Sequence, residues 1–162
     1  MCRRDREGTP NTVAGESRAT VRIAFGSDHA GFEGRRAAMA IAAARGLEVI
    51  DLGPPTSESV DYPDYAHLVA EAIASGKADV GVLVCGTGQG MAMAANRHPH
   101  VRAAVITDEV TAELARAHND ANVACFGEKV IGAPRIAELL AVFLDSRFEG
   151  GRHARRVEKI EV

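Results

Sequence analysis

The segment from Val80 to Cys85 (Val-Gly-Val-Leu-Val-Cys) is apolar throughout. A strand without a polar face is buried on both sides, which is typical of a parallel sheet covered by helices on both faces. A glycine-rich turn follows at once, and a helix is predicted from Met91 to about Asn96; the turn reads Gly86-Thr87-Gly88-Gln89-Gly90. This order of strand, turn and helix predicts an α/β domain.

Four further apolar runs alternate with helical patterns along the chain. The predicted strands are Val21–Gly26, Glu48–Asp51, Ala103–Ile106 and Val123–Phe126. Helices are predicted at Phe32–Arg45, from Asp61 to Gly76, after Thr107 or Asp108, around Ile136–Leu144 and, as a charged helix or tail, at Arg152–Val162. The alternation predicts a three-layer Rossmann-like (flavodoxin-like) sandwich with a five-stranded parallel sheet. Ligands of such sheets bind beyond the carboxyl ends of the strands, which directs attention to the turns after the first and third strands.

Helical spacing also predicts which side chains face the core. Tyr62, with Ala66 and Val69, is expected on the buried face of the helix after Asp61, and Val110, with Leu114 and Ala117, on that of the later helix.

Length and composition restrict the class of protein. The 162 residues fit one domain, taken as 21–162, and residues 1–20 are predicted to be a flexible N-terminal extension. A net charge of −3 gives no reason to expect nucleic acid or an anionic membrane as a partner, and no apolar run is long enough to span a bilayer. The cysteines Cys2, Cys85 and Cys125 form neither a disulfide framework nor a zinc motif, so a cytoplasmic protein is predicted.

Cys85 is the strongest candidate for a reactive group. The turn after it presents backbone N–H groups, and the following helix adds the positive end of its dipole. These surroundings favour a thiolate over a thiol. A thiolate can act as a base or as a nucleophile, and a thiol hydrolase would need a histidine that His118 could supply. The sequence pattern leaves that choice open.

Other candidates also have structural interpretations. Asp28 and His29 lie between two glycines after the first strand, where Asp28 could serve only as a helix cap. His118 and Asn119 end a helix, where a cation and a cap are common. Arg152 and Arg156 share one helix face and suit a phosphate, although a solvated basic end would look the same; Lys129 is uninformative by itself.

Taken together, these segments resemble the type B ribose-5-phosphate isomerases, a family that includes galactose-6-phosphate and allose-6-phosphate isomerases. The resemblance covers Val21 to Val162. Its carriers are Ala24-Phe25-Gly26-Ser27-Asp28-His29-Ala30-Gly31-Phe32, Asp61-Tyr62-Pro63, Cys85-Gly86-Thr87-Gly88-Gln89-Gly90, Ala94-Ala95-Asn96, His118-Asn119-Asp120 and Glu149-Gly150-Gly151-Arg152-His153.

The resemblance implies interconversion of ribose 5-phosphate and ribulose 5-phosphate, a pentose phosphate pathway reaction, without metal or cofactor. It implies Cys85 as the base that moves a proton between C1 and C2, and His118 as the residue that opens the ring, assisted by Asp28 and Thr87. The turn residues Gly86, Thr87, Gly88, Gln89 and Gly90 would bind the developing oxyanion. Further implied substrate contacts are Asp28, His29, Asn119, Lys129, Arg152 and Arg156. Lys129 stands where an arginine is common, and lysine lacks the bidentate fork.

Two alternatives remain beside this interpretation. One is a hexose 6-phosphate isomerase on the same scaffold, and the other is a non-catalytic phosphate- or nucleotide-binding module.

Topology predicts the assembly. Cys85 follows the end of its strand, whereas His118 precedes the fifth strand, at the opposite edge of the sheet. A five-residue strand spans about 17 Å, too far for one imidazole to reach the thiol. A shared site then requires a homodimer, or a tetramer, in which each site takes residues from two copies.

Overall fold

The computed structural model describes residues 19–162, so nearly all of the predicted N-terminal extension lies outside the described residues. The strands are β1 (Arg22–Ser27), β2 (Glu48–Asp51), β3 (Val80–Cys85), β4 (Ala103–Val105) and β5 (Val123–Gly127). The helices are α1 (Phe32–Ala44), α2 (Tyr62–Ala74), α3 (Gln89–Ala95), α4 (Glu109–Ala117), α5 (Glu128–Ile131), α6 (Ala133–Asp145) and α7 (Arg152–Glu158). One turn of 3-10 helix (His29–Gly31) joins β1 to α1.

The five strands form one parallel sheet in the order β2-β1-β3-β5-β4. β2 lies on one side of β1, and β3 lies on the other side. The direction in which strands are added to the sheet therefore reverses between β1 and β3. A crevice at such a reversal is where open α/β sheets bind ligands. The order departs from the flavodoxin-like one beyond β3, because β5 rather than β4 pairs with β3. The carboxyl end of β5 therefore lies beside Cys85, which pairs with Gly127.

Alternating residues of the strands supply two hydrophobic cores. Phe25, Val84 and Phe126 point to the face covered by α1, α4 and α6, where they are fully buried. Leu83 and Cys85 point to the opposite face, covered by α2 and α3. Truncating one of the buried phenylalanines to alanine would cost about 3–5 kcal/mol. The predicted three-layer α/β fold is confirmed.

Two expected core positions are wrong. Tyr62 is 40% exposed and Val110 is 63% exposed, whereas the core side of α4 consists of Ala112, Ala115 and Ala117. The buried side of α4 carries only small side chains, so the periodicity of the larger residues predicted the wrong face. Asp108 caps α4 as predicted, with its carboxylate accepting from the Thr111 N–H at 2.7 Å.

Candidate active site

The turn after β1 fixes Asp28 against the end of β3. Its Oδ1 accepts hydrogen bonds from the backbone N–H groups of Ala30 (2.9 Å) and Gly31 (3.1 Å). Its own N–H donates to the Val84 carbonyl at 3.3 Å. A Cβ at Gly31 would lie 2.2 Å from that carbonyl oxygen, so only glycine fits there. Asp28 is thus a helix cap, and it is also a buried carboxylate at the carboxyl edge of the sheet.

His29 is exposed, and the loop before α2 orients its ring. Its Nδ1 accepts a hydrogen bond from the Val60 N–H at 3.3 Å. Because Nδ1 is the acceptor, the neutral ring carries its hydrogen on Nε2, which is left to donate to a ligand.

Cys85 is the last residue of β3 and is 5% exposed. Its Sγ accepts a hydrogen bond from the Gly88 N–H at 3.1 Å. Gly88 has φ of +80°, a backbone conformation that favours glycine. The turn lies against the end of β5, since a Cβ at Gly127 would come within 2.7 Å of the Thr87 backbone. The fold therefore aims a backbone donor at the sulfur, as the glycine pattern predicted.

The remaining turn residues prepare the start of α3. The Gln89 N–H donates to the Thr87 hydroxyl at 3.4 Å, and α3 begins at Gln89, two residues before the predicted start. Gly90 lies under the ring of Tyr62, because a Cβ there would come within 2.6 Å of two ring carbons. Tyr62 thus lies beside the turn, a placement that the hydrophobic pattern missed.

Cys125 contrasts with Cys85, although both point to the same face of the sheet. Cys125 is completely buried, and that burial raises the pKa of its thiol far above the ordinary value. A thiol that stays protonated is a poor base, so Cys85 is the reactive candidate of the two. Cys2 lies outside the described residues.

Lys129 joins the turn from the end of β5. Its N–H donates to the Gly86 carbonyl at 3.1 Å, and its side chain lies over Gly86. A Cβ at Gly86 would be 3.3 Å from Lys129 Cδ and 3.8 Å from Nζ. An exposed cation therefore lies beside the Cys85 turn. We call the group Asp28, His29, Cys85–Gly90 and Lys129 the thiol region.

Arg35 supports this region from α1. Sequence reasoning missed it, because its only signal is a charge within an alanine-rich helix. It is 3% exposed, and it donates to Ser27 Oγ at 2.8 Å and to the Pro54 carbonyl at 2.7 Å. Its Nε faces the Asp51 carboxylate at 3.4 Å. Burial lowers the pKa of Arg35, and the Asp51 charge opposes that effect. The guanidinium thus connects the end of β1 to the loop before α2. The same loop contains Val60, whose N–H donates to His29.

A second set of predicted residues lies at the end of α4. His118 is the C-cap of α4, and its ring stacks on His153, with centroids 4.1 Å apart and planes 12° apart. Glu149 Oε2 lies 3.8 Å from His118 Nε2 and 3.5 Å from His153 Nε2. We call His118, Asn119, Glu149, Arg152, His153 and Arg156 the histidine region.

The other members of the histidine region are exposed. Arg152 and Arg156 lie one turn apart on α7, and within residues 19–162 neither forms an ion pair. Asn119 lines a groove of about 470 Å³ together with Ile160 and Val162. Two free guanidinium groups on one face suit a phosphate.

His98, in the loop after α3, is half-buried. Its Nε2 lies 2.7 Å from Nδ1 of His67 on α2, so the two imidazoles share a hydrogen bond.

The two regions lie at opposite ends of the sheet. Cys85 pairs with Gly127 where β3 and β5 end, whereas His118 comes just before β5 begins at Val123. A five-residue strand separates them by roughly 17 Å. Within one chain, the predicted site residues therefore form two groups rather than one.

Among the described residues, the histidine region also contains the one group with the composition of a metal site. Ligand atoms of His118, Glu149 and His153 lie within 4.8 Å of one another. Because the two imidazole rings are stacked and nearly parallel, the lone pairs of their nitrogens lie in two parallel planes. The two rings therefore cannot both direct a lone pair at the same ion. The geometry fits two imidazoles around a carboxylate better than a metal centre.

No α-helix in residues 19–162 combines the length and the apolar character that a membrane span requires.

Comparisons with known proteins show that the chain is similar to sugar phosphate isomerases. The family model described as Ribose/Galactose Isomerase matches residues 23–160. The chain is 46% identical over 139 residues to ribose-5-phosphate isomerase B of Escherichia coli (strain K12), covering 86% of this chain and 93% of that protein.

Solved structures are similar over the same range. Ribose-5-phosphate isomerase B of Clostridium thermocellum aligns with a TM-score of 0.84 at 46% identity, over 86% of this chain and 95% of the other. The type B ribose 5-phosphate isomerase of Trypanosoma brucei aligns with a TM-score of 0.84 at 46% identity, over 88% of this chain and 97% of the other.

Proposed function

This chain belongs to the ribose/galactose isomerase family, and from that premise we propose that it interconverts ribose 5-phosphate and ribulose 5-phosphate with Cys85 as the base. It is an aldose–ketose isomerase, and a phosphorylated sugar is its substrate. The relatives named above are ribose 5-phosphate enzymes, which favours the pentose over a hexose 6-phosphate. The thiol and histidine regions supply the groups that such a reaction needs.

Ring opening is the first step. The proton of the C1 hydroxyl is removed, the bond between C1 and the ring oxygen breaks, and the ring oxygen takes a proton. An imidazole can both accept and donate a proton near neutral pH, so we assign this step to His118. Asp28 and Thr87 would assist at the sugar hydroxyls.

Proton transfer follows on the open chain. The Cys85 thiolate removes the C2 proton, which leaves an enediolate with negative charge on O1. The O2 proton then passes to O1, and the Cys85 thiol returns its proton to C1 as the carbonyl forms at C2. Negative charge develops on the sugar oxygens, and N–H groups of the Gly86–Gly90 turn would stabilise it. The Lys129 ammonium beside Gly86 would add to that stabilisation and contact the substrate.

The phosphate lies at the other end of the substrate. Arg152 and Arg156 offer two exposed guanidinium groups on one helix face, and His29 offers an N–H donor from the other region. Asn119 would bind a sugar hydroxyl.

The proposed assembly follows from the separation of the two regions. Because Cys85 and His118 lie at opposite ends of one sheet, we propose a homodimer in which each site takes Cys85 from one copy and His118 from its partner. A tetramer built from such dimers would keep the same sites. We also propose a cytoplasmic enzyme of the pentose phosphate pathway that uses no cofactor, because a base, an acid and oxyanion donors suffice for this chemistry.

The observation that carries the proposal is the Gly88 N–H directed at Cys85 Sγ, beside the Asp28 carboxylate. A thiol hydrolase would form an acyl intermediate on Cys85, and covalent trapping of that intermediate would favour this alternative. A nucleotide-binding module would not need a thiol at this position.

The deciding experiment is turnover of ribose 5-phosphate, with galactose 6-phosphate, allose 6-phosphate and nucleotide binding measured in parallel. We expect kcat/KM for ribose 5-phosphate to exceed both hexose values by at least about 10-fold, the scale on which a pocket discriminates substrates of different size. Preference for a hexose would transfer the proposal to that substrate. No turnover of any sugar together with tight nucleotide binding would overturn it.

A further inference from the structure

The segment after α6 is tied to the end of α4, next to His118. The Glu149 N–H donates to the Ala117 carbonyl at 3.0 Å. Gly150 and Gly151 follow with φ of +65° and +55°, conformations that side chains disfavour. The two glycines turn the chain sharply, and the His153 N–H donates back to the Gly150 carbonyl at 3.0 Å. Glu149 and His153 are thereby brought to the same side as His118.

His153 forms a flat support for the His118 ring. Its side chain is 8% exposed, against 35% for His118, and the rings stack at 4.1 Å. A buried ring has little rotational freedom, so the ring stacked on it is restricted as well.

The Glu149 carboxylate lies beside the Nε2 atoms of both rings. Its Oε2 lies 3.5 Å from Nε2 of His153 and 3.8 Å from Nε2 of His118, so a shift of a few tenths of an ångström forms either hydrogen bond. No side chain or backbone group in residues 19–162 bonds His118 Nδ1. With Nε2 directed at Glu149, Nδ1 is the nitrogen left to exchange a proton with the sugar.

The charges around the cluster keep the two imidazoles different. Burial lowers the pKa of His153, the charges of His118, Arg152 and Arg156 lower it further, and Glu149 alone opposes them. The lowered pKa of His153 favours its neutral form at neutral pH.

We propose that Glu149 and His153 are positioning residues for His118, which hold its ring in the orientation that opens the furanose. The proposal rests on the ring-opening function assigned to His118 above. A catalytic group displaced by about 1 Å can lose up to roughly 100-fold in rate, so loss of either support should be measurable.

The test uses the difference between the two directions of the reaction. Ribose 5-phosphate is mostly a closed ring, whereas ribulose 5-phosphate cannot close a furanose because its terminal oxygen carries the phosphate. The aldehyde made in the reverse direction closes in water without the enzyme. A defect in ring opening alone therefore slows turnover of ribose 5-phosphate and spares that of ribulose 5-phosphate.

The variants are Glu149→Gln, His153→Ala and His153→Phe, with His118→Ala in parallel. Glu138→Gln is the matched control, because Glu138 is an exposed glutamate that pairs with Arg135 far from the cluster. We expect Glu149→Gln and His153→Ala to lower kcat for ribose 5-phosphate by about 10-fold and to change ribulose 5-phosphate turnover less than about twofold. His153→Phe retains a flat ring and should recover most of the loss.

Three results would overturn the proposal. Equal losses in both directions would make Glu149 and His153 merely structural. Normal kinetics of both variants, with a direction-specific loss in His118→Ala, would refute the positioning and leave the proposed function intact. A His118→Ala variant without any direction-specific loss would remove the ring-opening assignment as well.

Discussion

The thiol region and the histidine region both hold reactive side chains in position, but through different kinds of contact. In the thiol region, backbone groups position the side chains. Cys85 accepts a hydrogen bond from one backbone N–H and Asp28 accepts hydrogen bonds from two, and glycines allow the strands and turns to approach closely. In the histidine region side chains place one another, through the His118–His153 stack and the Glu149 carboxylate. Cys85 and Asp28 are buried, whereas His118 is 35% exposed and Arg152 and Arg156 are exposed beside it. We propose that the thiol region of another copy covers the exposed side of the histidine region.

The largest expected effect is at the thiol. Cys85→Ala should lower turnover of both ribose 5-phosphate and ribulose 5-phosphate by roughly 10²–10⁴-fold, the usual contribution of a general base, while substrate still binds. Cys125→Ala is the matched control, because that buried thiol lies on the neighbouring strand and on the same face. Near-normal turnover of the Cys85→Ala protein would make the thiol structural.

The comparison also predicts that the thiol region tolerates little change in its backbone. Gly31→Ala places a methyl group 2.2 Å from the Val84 carbonyl oxygen and should destabilise the fold by about 1–3 kcal/mol and reduce activity. Gly46, unlike Gly31, has a positive φ of +72°, but a methyl group there would meet nothing within 4 Å. The Gly46→Ala control should cost about 1 kcal/mol and leave kcat unchanged. Denaturant unfolding and steady-state kinetics measure both, and equal behaviour of the two variants would contradict the account.

The elements of the fold could be predicted from the sequence more completely than the contacts between them. The bounds of β2 and β3 match the predicted ones, because short apolar runs with turn residues at both ends define them. The position of β5 beside β3 could not be predicted, since pairing between distant strands leaves no local pattern. Tyr62 shows the same limit, because its apolar spacing favoured the core while the structure places it over Gly90.

The candidate site divides in the same way. The glycine turn and the Asp28 cap are encoded by adjacent residues, so the sequence predicted both. The buried Arg35 and the stacking of His118 on His153 join residues far apart in the chain, and they became visible only in the fold. The substrate contacts of Arg152, Arg156, Asn119 and Lys129 remain predictions.

In the histidine region, the two arginines should affect substrate binding more than the rate of the chemical step. Arg152→Ala and Arg156→Ala should each raise KM for ribose 5-phosphate by roughly 10–100-fold, since a lost hydrogen bond to a charged group costs about 1.5–3 kcal/mol. Much of that binding is shared by the ground and transition states, so kcat should fall less. Arg36→Ala is the control, because Arg36 is an exposed arginine on α1 that lies 3.8 Å from Glu33. Unchanged kinetics in the double variant would make these arginines a solvated helix end.

The smallest expected effect concerns stability against pH. The pKa of His153 is lowered on folding from an ordinary value of 6.5, so the unfolded chain binds more protons as the solution becomes acidic. The stability that depends on neutral His153 is present above about pH 6.5 and is lost as the pH falls below it. The Tm of the wild type should therefore fall more between about pH 7.5 and about pH 5.5 than that of His153→Phe. His100→Asn, at an exposed position, should keep the wild-type slope, and a wild-type slope in His153→Phe would show that His153 is not held neutral.

The most direct test of a site shared between the two regions is complementation between copies. Cys85→Ala and His118→Ala proteins, each inactive with ribose 5-phosphate, are mixed in equal amounts under conditions that exchange subunits. Random pairing makes about half of the dimers mixed, and each mixed dimer has one intact site and one doubly altered site. The account predicts that activity with ribose 5-phosphate returns to roughly a quarter of the wild-type value. No recovery, with exchange proven by mass spectrometry, would place Cys85 and His118 in the site of a single copy and contradict the central claim.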